Sequence, residues 1–103
     1  MAIVAVSISP IGEGVGVSAY VTAAIEVLRA QDRVRYELGP MFTSLEGDLD
    51  EVMALVRRMQ EAVFAAGAKR VSTVLKIDDR RDRTASMSDK VQAVETRLPQ
   101  GRE

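Results

Sequence analysis

The stretch RYELGPMFTSLE, residues 35–46, holds two short alternating runs on either side of a glycine and a proline. Within "RVRYEL", residues 33–38, Val34, Tyr36 and Leu38 alternate with Arg35 and Glu37, the period of a half-buried strand, and "MFTSLE" resumes the pattern after Gly39–Pro40. Proline cannot donate a ladder hydrogen bond, so the chain turns back here. The two strands are therefore antiparallel neighbours with no crossover helix between them.

Upstream, Ala2 to Pro10 reads as a strand with two unlike faces. Val4, Val6 and Ile8 form a greasy face, while Ile3, Ala5, Ser7 and Ser9 form a small and partly polar one. Gly12, Gly14 and Gly16 lead into a helix in which Ser18 is the expected N-cap and Val21, Ala24, Ile25 and Leu28 keep the i, i+3, i+4, i+7 spacing. It should end near Gln31.

Downstream, Asp48 with Glu51 three residues on is a capping-box pattern. Leu49, Val52, Met53, Val56, Met59 and Val63 then form one apolar stripe, stopped by Gly67. "KRVSTVLKID", residues 69–78, is a β-branched fourth strand, and a mixed-charge loop from Asp79 to Arg83 follows. A last helix, capped by Ser86, carries Met87, Val91, Val94 and Leu98 before Pro99, and residues 100–103 read as a frayed tail.

This order predicts an α+β fold: a ferredoxin-like β-α-β-β-α-β sandwich with a four-stranded antiparallel sheet, plus an extra C-terminal helix. With no repeat, linker or low-complexity tract, residues 1–103 are expected to form a single domain. Both main helices cover one face of such a sheet. The other face needs cover, from the extra helix or from a second sheet stacked on it in an oligomer, and the second is the expectation.

Composition closes several routes. The chain has no cysteine and no histidine, which removes disulfides, thiol chemistry, imidazole acid–base chemistry and the usual zinc and copper ligands, and no metal site is expected. A net charge of −1 with two Phe and two Tyr gives no basic, aromatic surface for nucleic acid. The start Met1–Ala2–Ile3 lacks the basic segment of a signal peptide, and no apolar run approaches the ~20 residues of a membrane span. A cytoplasmic protein without membrane contact is expected.

The glycine loop resembles a dinucleotide fingerprint only loosely. Its spacing is one residue short of G-x-G-x-x-G, and Glu37, at the distance of the ribose-binding acid, lies in the strand that turns straight back. A strand-to-helix connector is the better reading. Near the third strand, Thr43, Ser44 and Glu46 offer two hydroxyls and a carboxylate, although side-chain alternation lets only one of Thr43 and Ser44 share a face with a given neighbour. In "KIDDRRDR", residues 76–83, Asp78 at the strand end is the acid best placed to meet a cationic ligand, and the rest reads as solvated ion pairs.

"YELGPMFTSLEGDLDEVMALV", "RVSTVLKIDDRRD" and the early "GVSAYV" together resemble the small thiamine-binding protein family, related to the YkoF-like proteins, from about Ile3 to Leu98. The resemblance implies a ferredoxin-like fold, sheet stacking into dimers or tetramers, and binding of thiamine or its hydroxymethylpyrimidine part without catalysis or further cofactor. Such proteins scavenge, buffer or deliver the vitamin. Met41 belongs to the matching run, and Phe42 stands where a small residue is expected, which would alter the ligand if its ring entered the pocket.

An aminopyrimidine suits Glu46 with hydroxyls, and a thiazolium cation suits Asp78 or the ring of Tyr20. The expected ligand-binding set is Ser7, Ser9, Ser18, Tyr20, Met41, Thr43, Glu46 and Asp78, with the pyrimidine against Thr43 and Glu46 and with Ser18 and Tyr20 closing the site. Two other classes compete with this one. A regulatory module binding an amino-acid-type ligand at a subunit interface fits the same fold, and a small cofactor-free enzyme fits less well, since such enzymes commonly use histidine.

Overall fold

A computed structural model of the chain describes residues 1–82 and 86–98. Strand β1 (Ala2–Pro10) leads to helix α1 (Ser18–Arg29), then to β2 (Arg35–Glu37) and β3 (Thr43–Gly47), helix α2 (Leu49–Ala65), β4 (Val71–Asp79) and helix α3 (Met87–Arg97). The sheet order is β2-β3-β1-β4, and every neighbouring pair is antiparallel. This is the ferredoxin-like arrangement with one added helix. The turn back at Gly39–Pro40 makes β2 and β3 sheet neighbours, while α1 carries the chain from β1 past β3 to β2, and α2 carries it from β3 past β1 to β4.

One face of the sheet makes the core. Val4, Val6 and Leu45 from the strands meet Ala24 and Leu28 of α1 and Val52, Leu55, Val56, Met59 and Val63 of α2. Full burial of side chains such as Leu28, Leu45 and Leu55 contributes about 1.5–3 kcal/mol each, so α2, with five buried residues, is the main anchor of the helix layer. The Asp48 carboxylate caps α2 by accepting from Glu51 N–H at 3.2 Å, while the Glu51 carboxylate pairs with Arg33. Met53, expected on the buried stripe, is exposed, and Leu55 takes a core position beside Val52 and Val56.

Three further expectations are corrected. The N-cap of α1 is Val17, with no side-chain cap, and Ser18 is the first helical residue. Strand β2 has three residues because Val34, though buried, is held by a side chain: Gln31 donates to Val34 O at 2.9 Å and accepts from Val34 N–H at 2.8 Å. Strand β3 starts at Thr43, two residues later than its alternation suggests.

Helix α3 is capped as expected, by a reciprocal box between Ser86 and Asp89. The expected end of the charged loop at Arg83, the stop at Pro99 and the frayed tail lie outside the described residues. The open sheet face is not bare. Helix α3 lies over its Ile3–Asp78 end, tied by Lys90 to Asp78, yet it buries none of its own residues.

Candidate functional site

Register sorts the expected site residues. Paired residues of antiparallel strands share a face, so Thr43, opposite Val6, faces the helices, whereas Glu46, opposite Ile3, and Asp78, on the other side of Ile3, face the open side. Thr43 and Glu46 line different cavities. Their three-residue spacing puts them on opposite faces of the sheet.

Four of the eight expected residues do converge. Ser7, Ser9, Met41 and Thr43 line a cavity of about 290 Å³ where β1 runs past the start of β3. Its apolar wall comes from Val21 and Ile25 of α1 and Met59 of α2, and Gly39 and Pro40 form the rim. Gly39 is required there, because any Cβ would collide with the Phe42 carbonyl oxygen. Phe42 itself does not line the cavity. The apolar wall is not among the residues expected from the sequence, because Val21, Ile25 and Met59 also obey the core spacing of their helices, and nothing in that spacing tells a core wall from a ligand wall.

Ser18 and Tyr20 do not line this cavity. The Tyr20 hydroxyl donates to Glu13 Oε1 at 2.8 Å, and that hydrogen bond, helped by partial burial, holds the phenol above its usual pKa. Tyr20 thus fastens the glycine loop to α1, while Gly12 and Gly14, at φ 86° and 79°, supply left-handed turns that other residues rarely adopt.

On the open face Glu46 is 6% exposed and has no hydrogen bond or ion pair among the described residues. It opens onto a second cavity, about 350 Å³, with Arg35, Glu37 and the first turn of α3. Asp78 borders a third, about 410 Å³, with Met1, Ile3 and Val94. There the hydrogen bond from Lys90, reinforced by its charge and by Arg80 and Lys76, holds the Asp78 carboxyl below the usual carboxylate range. Among the described residues no group of acids is arranged to hold a metal ion, and no helix is long and apolar enough to cross a membrane.

A pocket lined with hydroxyls and an apolar wall has the composition of a small-molecule site. The family model for "Thiamine-binding protein" matches residues 4–95. This chain belongs to the thiamine-binding protein family.

Its relatives in the family share most of its length. A UPF0045 protein of Staphylococcus xylosus is 41% identical, with 98% of each chain covered, and one of Mycobacterium tuberculosis is 47% identical, with 93% of each covered. The crystal structure of a hypothetical protein of Methanocaldococcus jannaschii superposes with a TM-score of 0.84 at 38% identity, covering 91% of this chain and 95% of that one. A Thermotoga maritima protein named for thiamine biosynthesis or salvage superposes with a TM-score of 0.76 at 26% identity, covering 90% and 97%.

Proposed function

We propose that the protein binds thiamine or its hydroxymethylpyrimidine moiety without transforming it, and so scavenges, buffers or delivers the vitamin inside the cell. The observation that carries this reading is the convergence of Ser7, Ser9, Thr43 and Met41 on one cavity of about 290 Å³ in a chain of this family. That volume is near the lower end for small-molecule sites, and a few hydroxyls in an apolar wall are the usual composition of one. The Thr43 hydroxyl, on the helix side, can donate to a ring nitrogen or accept from the exocyclic amino group, and Ser7 and Ser9 border the cavity from the open side of the sheet. The name of the Thermotoga maritima protein supports the ligand class.

The working unit in this proposal is a homo-oligomer. Helix α3 is 11 residues long, and isolated helices of that length are marginal in water. Its stripe is open, with Val91 56%, Val94 61% and Leu98 45% exposed, beside the half-buried Ile3 and Ala5 of the sheet face. A second copy stacked on this side covers both, and also brings Glu46 to the subunit interface. Isothermal calorimetry with thiamine and with free hydroxymethylpyrimidine tests the function. Saturable binding of either is expected, and no heat with both at millimolar concentration contradicts the reading.

A further inference from the structure

The cavity beside Thr43 has a polar wall that is backbone. Along an antiparallel strand successive residues direct their N–H and C=O to alternate sides, so an interior strand bonds one neighbour through its even positions and the other through its odd ones. Ile11 N–H donates to Arg70 O at 2.8 Å, on the continuation of the β1–β4 register, so the odd residues of β1 bond to β4. The even residues face β3, where Ala2, Val4 and Val6 stand opposite Gly47, Leu45 and Thr43. The next even residue is Ile8.

Among the described residues, no strand partner stands opposite Ile8 on this side. The register would put residue 41 there, but β3 begins at Thr43, Met41 is 79% exposed in the loop, and no backbone hydrogen bond joins Ile8 to the 38–42 segment. Pro10 is the independent sign that this edge is open. It sits inside a strand that pairs with β4 along its whole length, a place proline can occupy only if its missing N–H points away from the ladder, toward the gap. Ile8 is thus left with a donor and an acceptor side by side, on the wall of the cavity.

We infer that the Ile8 N–H and C=O form a two-point docking edge for a planar ligand that carries an acceptor and a donor on either side of one ring carbon, as a 4-aminopyrimidine does. The ring nitrogen accepts from Ile8 N–H and the exocyclic amino group donates to Ile8 C=O, so the ligand fills the strand position left empty opposite Ile8. Thr43 on the helix side of the sheet plane and Ser7 and Ser9 on its open side flank the ligand, and Val21, Ile25 and Met59 close over the ring from the helices. A backbone edge is satisfied by ligand where β3 fails to satisfy it, which recovers the cost of an unpaired donor. The inference rests on the thiamine reading and gives it an orientation.

Amide hydrogen exchange, followed by NMR on the full chain with and without thiamine and with calorimetry in parallel, tests it. In the free protein the Ile8 amide should exchange about 100-fold faster than those of Ser7 and Ser9, whose N–H groups bond to β4. Saturating thiamine should slow Ile8 at least about tenfold, and the 4-oxo analogue, which reverses donor and acceptor, should bind at least about tenfold more weakly. Equal protection of Ile8 in the free protein, or thiamine binding that leaves Ile8 unchanged, or equal affinity for the 4-oxo analogue, overturns the inference alone. Absence of calorimetric binding overturns the function reading and this inference together.

Discussion

At the scale of residues, the face a side chain occupies decides its role. Thr43 and Ser44 are adjacent hydroxyls, but Thr43 lines the cavity from the helix side with Val6 and Ile8, while Ser44, opposite Ala5, faces the open side and lies outside it. Thr43→Val should weaken thiamine binding about tenfold, the worth of one hydrogen bond, with little change in stability, whereas Ser44→Ala should leave affinity unchanged by calorimetry. Glu46 gives the opposite pattern. Its carboxylate opens onto a different cavity, beside Arg35 on the open face, so Glu46→Gln should leave thiamine affinity within about twofold by calorimetry. The separation of Thr43 from Glu46 is legible in the sequence alone, since residues three apart in a strand cannot share a face. The chemistry of an aminopyrimidine draws the two together, and strand parity separates them.

At the scale of elements, patterning shows which face is apolar and leaves open what covers it. The bounds of helix α2 are readable, because a cap, a stripe and a terminal glycine all agree, though the buried side is turned toward Leu55 and away from Met53. Helix α3 has an equally regular stripe and buries none of its residues, because in the proposed oligomer its cover comes from a second copy. The Lys90–Asp78 pair ties it to the sheet. Since the Asp78 carboxyl is held below its ordinary value of 3.8 in the folded chain, this tie is complete above that value and is lost as pH falls through the folded-state pKa. Acidification below about pH 4, or Asp78→Asn at neutral pH, should speed amide exchange in α3 while the core amides of α2 keep their protection. Equal effects on both helices would mean that α3 is held by more than this contact. β2 is short because Gln31 takes over the bonding of Val34, a side-chain contact that strand alternation does not encode. Gly39 belongs to this scale as well. Gly39→Ala drives a Cβ into the Phe42 carbonyl and should displace the rim of the cavity, lowering thiamine affinity more than it lowers Tm.

At the scale of the whole molecule, the proposed function uses two surfaces: the cavity edge for a ligand, and α3 with the open face for a second copy. Val94→Asp, which charges the middle of the exposed stripe, should shift the mass measured by light scattering toward the protomer without unfolding the α1–α2 core. An unchanged oligomer would place the interface elsewhere. Antiparallel pairing around Gly39–Pro40 makes the fold legible from a dozen residues, whereas the wall of the cavity is not, since Val21, Ile25 and Met59 keep the same spacing as residues of the core. A calorimetric titration of thiamine into the wild-type protein, Thr43→Val and Glu46→Gln distinguishes the cavity beside Thr43 from the open face. Saturable binding by wild type and Glu46→Gln, with about tenfold weaker binding by Thr43→Val, is the predicted result. Loss of binding in Glu46→Gln with full affinity in Thr43→Val would contradict it, and would move the ligand to the open face of the sheet.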